Sequence, residues 1–98
     1  MVVVVTSNVA ARFHGFLASA MLEIAPGVYT APRMSKGVRD RVWRVLEDWH
    51  GQLGGGSIVM TFRDNDEPCG QGLRTLGLPA RTFVELDGGL VTTVTGIT

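Results

Sequence analysis

Four consecutive valines, Val2-Val3-Val4-Val5, follow Met1 and leave little freedom in what that segment becomes. Valine is stiff at χ1 and favours the pleated sheet. Successive side chains on a strand point to opposite faces. A strand made from this run is therefore apolar on both sides, and both sides need cover. Ile58-Val59-Met60 sets the same condition in the second half of the chain. The run is too short for a membrane span or a signal peptide and lacks a basic flank, and no other apolar stretch approaches about 18 residues. At 98 residues the chain is expected to form one domain over 1–98, and a 45% hydrophobic content supports a core without a disulfide or metal. Its one cysteine, Cys69, has no internal partner, so the expected setting is the reducing cytoplasm.

The elements around the valines follow from periodicity. After Thr6-Ser7-Asn8, the residues Val9, Phe13, Phe16, Leu17, Ala20 and Met21 recur at helical spacing, with Asn8 expected as the N-cap. Pro26-Gly27 separates two short extended pieces, 22–24 and 28–30. Pro32 and Ser35 open a second helix with the stripe Val38, Val42, Val45, Leu46, Trp49 and Leu53. Trp43 falls off that stripe and is expected to cover a partner surface. Gly51 and Gly54-Gly55-Gly56 end the helix in a flexible loop. Residues 58–62 and 72–76 read as partner strands around the turn Asp64-Asn65-Asp66-Glu67-Pro68, and 83–86 with 90–94 as a hairpin around Asp87-Gly88-Gly89. Strand, helix, two strands, helix, strand is the order of a ferredoxin-like α+β sandwich (βαββαβ), here with additional C-terminal strands. Two helices cover one face of such a sheet. The doubly apolar strands therefore predict a homodimer, with a second copy covering the other face.

Nine Lys plus Arg balance nine Asp plus Glu, which excludes a polycationic nucleic-acid coat and an acidic disordered tail. The balance is uneven along the chain. Residues 1–44 hold six bases and two acids, and residues 45–98 hold three bases and seven acids, so the halves carry plus four and minus four. Such a division suggests one surface for an anion and another for a different partner. Arg33, Lys36, Arg39, Arg41 and Arg44 enter or line the second helix. They read either as a solvated face, with Lys36–Asp40 and Arg44–Asp48 pairs, or as a phosphate-binding helix start formed by Arg33 and Lys36, which Arg12 and His14 could join.

Catalytic patterns are weak. Asp64, Asp66 and Glu67 form the only dense acidic cluster and lack the further oxygen ligands of a calcium loop. Cys69 lies in a turn, with His14 and His50 on separate helices, so nothing fixes a nucleophile on a base. The triple glycine has no Lys-Ser or Lys-Thr behind it, and the Walker pattern fails.

Val3-Val4-Val5-Thr6-Ser7-Asn8-Val9, Met21-Leu22-Glu23-Ile24, Gly27-Val28-Tyr29, Lys36, Trp43, Val59-Met60, Thr75-Leu76-Gly77-Leu78, Arg81-Thr82 and Leu86-Asp87-Gly88 stand in one order and spacing. That pattern resembles the CRISPR-associated protein two family, in its type I-E branch, over nearly the whole chain. The resemblance implies a ferredoxin-like homodimer that bridges two dimers of the CRISPR integrase during spacer acquisition, holding prespacer duplex DNA while the integrase supplies the chemistry. It implies DNA contacts at Arg12, Lys36 and Arg81. His14 and Ala80 stand at positions that are commonly basic, which makes Arg33 a candidate to supply charge beside His14. The C-terminal segment, 83–98, would dock on the integrase through Phe83, Val84, Glu85, Leu86, Asp87, Leu90 and Val91. Some family members are described as metal-dependent endonucleases, acting on RNA or DNA, with an acid just after the first strand. Ser7 stands there in this chain, and a hydroxyl is a poor Mg²⁺ ligand. The expectation is a non-catalytic scaffold that requires no cofactor, with a Mg²⁺-dependent nuclease as the alternative.

Overall fold

The computed structural model describes residues 1–78 in full and the backbone of 81–86 and 89–94. The elements run β1 (Val2–Ser7), α1 (Ala11–Ala20), β2 (Leu22–Ala25), β3 (Val28–Ala31), α2 (Lys36–Leu53), β4 (Ser57–Arg63), β5 (Gln71–Leu76), β6 (Arg81–Leu86) and β7 (Gly89–Val94). A 3₁₀ turn, Pro68–Gly70, joins β4 to β5. Five strands form one antiparallel sheet in the order β2-β3-β1-β4-β5, while β6 and β7 pair with each other as a separate hairpin. The α+β order and the central place of β1 are compatible with a ferredoxin-like sandwich, extended by β5 at one edge. Among the described residues no helix is long and apolar enough to cross a membrane.

The valine run takes the centre of the sheet, and its alternation divides the molecule. Val2, Val4 and Thr6 face the helices and are buried. They meet Phe13 and Leu17 of α1, Val42, Trp43 and Leu46 of α2, and Tyr29, Ile58, Met60 and Phe62 of the neighbouring strands in one core. Each fully buried side chain of this size contributes roughly 1.5–3 kcal/mol relative to exposure. Val3 and Val5 face the other way. Their register partners are Thr30 and Val28 on β3 and Thr61 and Val59 on β4, and those β4 residues pair in turn with Leu73 and Thr75. None of these side chains is fully buried, and Val5 is 42% exposed. The sheet thus has one face under two helices and a second, largely valine, leucine and threonine face that no helix among the described residues covers.

Two expectations for the helices are corrected. Asn8 does not cap α1; it adopts a left-handed conformation at φ 57°, and the helix begins three residues later behind Ala10, which makes no side-chain cap bond. Asparagine tolerates this region better than most residues, and the turn brings the β1–α1 connection against the glycine loop. Ser35 does cap α2, accepting a hydrogen bond from the Val38 N–H at 3.3 Å. The buried side of α2, however, is Arg39, Val42, Trp43 and Leu46, while Val38 and Leu53 are exposed. Trp43 is core, not a cover for a partner. The cause lies in β4 and β5. Gly72 stands opposite Phe62, and a side chain at 72 would overlap the Phe62 ring. With that space empty, Phe62 receives the Arg39 guanidinium 3.7 Å above its ring centre, which rolls α2 about its axis.

The triple glycine is also more constrained than a flexible loop. Gly56 sits at φ 70°, and a Cβ there would lie 2.5 Å from the Asn8 carbonyl oxygen and 2.6 Å from that of Ser7. Gly55 has a similar φ of 74° but open space around it. Gly55→Ala is therefore expected to cost about 1 kcal/mol from backbone strain alone. Gly56→Ala, with the contact added, should cost at least about 2 kcal/mol more. Urea midpoints measure both; equal losses would contradict the close approach of the two loops.

Candidate nucleic-acid interface

Arg12 lies in the first turn of α1 and stacks on α2, its guanidinium carbon 4.4 Å from the Trp49 ring centre. Trp49 is itself held edge-on by Phe13 and Phe16, with centroids at 5.6 and 5.3 Å. A cation seated on an aromatic face keeps its outer N–H groups for another acceptor. The exposed Arg12 is thus held in place without an ion pair among the described residues. Its neighbour in sequence, His14, turns inward. His14 Nδ1 lies 2.7 Å from the Tyr29 hydroxyl, so one ring nitrogen is already engaged. Burial pushes the Tyr29 phenol above its ordinary pKa, and the adjacent Glu23 adds to the shift.

Lys36, at the start of α2, is 64% exposed, and its Nζ lies 3.9 Å from Asp64 Oδ2. The same carboxylate oxygen lies 3.5 Å from buried Arg39, and Asp64 Oδ1 accepts the Asp66 N–H at 3.0 Å. Arg39 also pairs with Asp40 at 3.2 Å, and Arg74 reaches Asp40 at 3.1 Å. The anticipated Lys36–Asp40 and Arg44–Asp48 pairs are not formed. Asp40 is taken by Arg39 and Arg74, and Asp48 accepts from Gln52 at 3.3 Å. The Asp66 N–H, with Lys36 and Arg39 beside it, holds the Asp64 carboxyl below the usual carboxylate range. Burial alone would raise Asp40, but Arg39 and Arg74 outweigh it and leave it lowered.

Arg33, Arg41 and Arg44 are exposed and make no ion pair among the described residues. Arg41 and Arg44 lie three residues apart on the outward crown of α2 and, with Val45 and Asp48, line a shallow hollow. Their position off the apolar stripe was legible, yet the sequence reading did not single them out as DNA contacts. Lys36 and Trp49 are thirteen residues apart, about 20 Å along the helix axis. The fold therefore does not gather Arg12 and Lys36 at one point. It sets them on opposite flanks of α2, near its two ends, with Arg41 and Arg44 between them. The Arg81 side chain lies outside the described residues, as do the side chains of Phe83, Val84, Glu85, Leu86, Leu90 and Val91, and all of Asp87.

A divalent cation would find little to bind here. At the end of β1, Ser7 and Asn8 offer a hydroxyl and an amide but no carboxylate. No group of three or more His, Cys, Asp or Glu could hold a metal ion among the described residues. A hydroxyl and an amide without a carboxylate do not fit Mg²⁺.

These features define a small α+β protein with one uncovered apolar sheet face and a line of cations across its helical layer. Residues 1–91 match the family model for CRISPR-associated protein (Cas_Cas2CT1978), and the chain belongs to that family.

The two lowered carboxyls fix a pH dependence. A group whose folded pKa lies below its unfolded value stabilises the fold above the unfolded pKa, near pH 4 for aspartate, and loses that contribution as pH falls through the folded pKa. Urea unfolding is expected to show stability falling below about pH 4. Asp64→Asn should flatten part of that fall, and superimposable acid profiles for the two proteins would contradict the assignment.

Proposed function

We propose that this chain acts as a dimeric, non-catalytic scaffold of CRISPR spacer acquisition, holding the backbone of duplex DNA and bridging integrase dimers. Family membership supplies the CRISPR setting. The observation that carries the DNA reading is the line of cations Arg33, Lys36, Arg41, Arg44 and stacked Arg12, of which only Lys36 has a carboxylate partner among the described residues. Contacts of this kind position a duplex without reading its sequence. A protein whose task is to hold DNA of any sequence needs no base readout.

The dimer reading rests on the open sheet face. Val3, Val5, Val28, Val59 and Leu73, interspersed with Thr30, Thr61 and Thr75, form the surface on the side away from the helices. Face-to-face packing of two copies would cover it and place each copy's helices, and with them the cations, on the outside of the pair. The β6–β7 hairpin pairs with itself and adds no strand to the main sheet, which leaves it as the segment proposed to dock on the integrase. The scaffold requires no cofactor in this account, because the integrase performs the transfer.

Fluorescence anisotropy of a labelled duplex, with EDTA present, tests the reading. If about six phosphates are neutralised, the log–log salt slope is expected near −5. Arg12→Gln should weaken binding uniformly across sequences and flatten the slope by about 2 for a dimer, and Lys36→Gln, whose charge Asp64 partly answers, should flatten it by less. A chain ending at Thr82 should keep this binding and lose capture of the integrase. A slope near zero, or one that neither substitution changes, would contradict the proposal.

A further inference from the structure

Among the exposed cations of the helical layer, Lys36 is the one with a carboxylate partner among the described residues. Its counter-ion, Asp64, is not a wandering surface carboxylate. The Asp66 N–H fixes one of its oxygens at 3.0 Å, buried Arg39 lies 3.5 Å from the other, and its side chain is only 13% exposed. Lys36 is the loose member, 64% exposed and 3.9 Å away at the edge of ion-pair distance. From sequence these residues read as a turn between two strands, with too few oxygen ligands for a calcium loop. The geometry gives it a fixed anion aimed at one of the residues proposed to meet DNA.

We propose that Asp64 is an internal phosphate mimic that occupies Lys36 in the unbound protein and must give way to a DNA phosphate. It is a positioning residue, acting through Lys36 without itself touching DNA. The inference rests on the DNA-binding reading above and deepens it. Two effects of the carboxylate compete. It could pre-orient Lys36 for a phosphate, or it could repel the phosphate and hold the ammonium back. The long distance and the exposure of Lys36 mean that little pre-orientation is achieved, since exposed ion pairs of this kind are weak. The fixed negative charge, by contrast, remains within a Debye length of any phosphate that reaches Lys36. Repulsion and competition win. Asp64 therefore weakens DNA binding, and Lys36 contributes less than the unpaired cations of the line for as long as Asp64 is ionised. The buried Arg39 keeps Asp40 when Asp64 is neutralised, so the fold retains a partner for its buried charge.

A double-mutant cycle on the full-length chain tests this, with duplex affinity and salt slope as readouts. Asp64→Asn, which keeps an acceptor for the Asp66 N–H, is expected to tighten binding about threefold per protomer, hence roughly tenfold for a dimer. It should also steepen the salt slope by up to about 1 per protomer. In a Lys36→Gln background the same substitution should do neither. Thermal melting verifies that each variant is folded; Asp64→Ser, whose hydroxyl can also take the Asp66 N–H, replaces Asp64→Asn if that variant does not fold. Binding by the wild-type chain that neutralising Asp64 leaves unchanged, or weakens, overturns this inference alone. A gain that persists without Lys36 does the same, because it would reflect net charge only. Absence of salt-dependent binding by the wild-type chain overturns the DNA reading and this inference with it.

Discussion

The guanidinium of Arg39, buried over the Phe62 ring, organises more of this structure than any other single contact. It is a charge taken out of water, and such a charge persists only where partners answer it. Asp40 lies beside it on α2, and Asp64 comes from the turn after β4. Arg74 then shares Asp40 and lies over the same ring at 5.2 Å, which ties β5 into the cluster. One contact thereby fixes the roll of α2, the place of the acidic turn and the attachment of the edge strand.

The functional surface follows from that roll. With Arg39 and Trp43 turned to the core, Arg41 and Arg44 come to the crown of the helix and Trp49 to the flank facing α1, where Arg12 stacks on it. Two of the carboxylates near the cations are largely taken up within the fold: Asp40 by Arg39 and Arg74, Asp64 by Arg39, Lys36 and its own turn. A chain with no net charge can therefore carry a positive face. On the opposite side of the sheet the doubly apolar valine strand leaves a surface suited to a second copy. The two halves of the proposed function, holding DNA and pairing with a copy, thus occupy opposite faces and do not compete.

Much of the architecture was legible because it is local. The valine run, the Pro26-Gly27 turn, the Ser35 cap and the hairpin over 83–94 each declare themselves within a few residues, and all appear in the structure as expected. The misses are long-range. The role of Asn8 depends on Gly56, forty-eight residues away, and the burial of Arg39 depends on Phe62, Asp64 and the missing side chain of Gly72. No periodicity reports a cation that is buried because an aromatic ring and two carboxylates await it. The site was legible only in part for the same reason. Residue type marked Arg12 and Lys36, but the Trp49 support of one and the Asp64 neutralisation of the other exist only after folding. His14 was grouped with them, and it spends a ring nitrogen on Tyr29 instead.

The central claim is that two copies of this chain, joined through their open sheet faces, hold one duplex. Sedimentation velocity with a labelled duplex, following protein and DNA absorbance separately, measures that stoichiometry directly. The account predicts a single complex of two chains and one duplex that dissociates as salt is raised. A complex of one chain per duplex, or a dimer that sediments apart from the DNA at low salt, would contradict it.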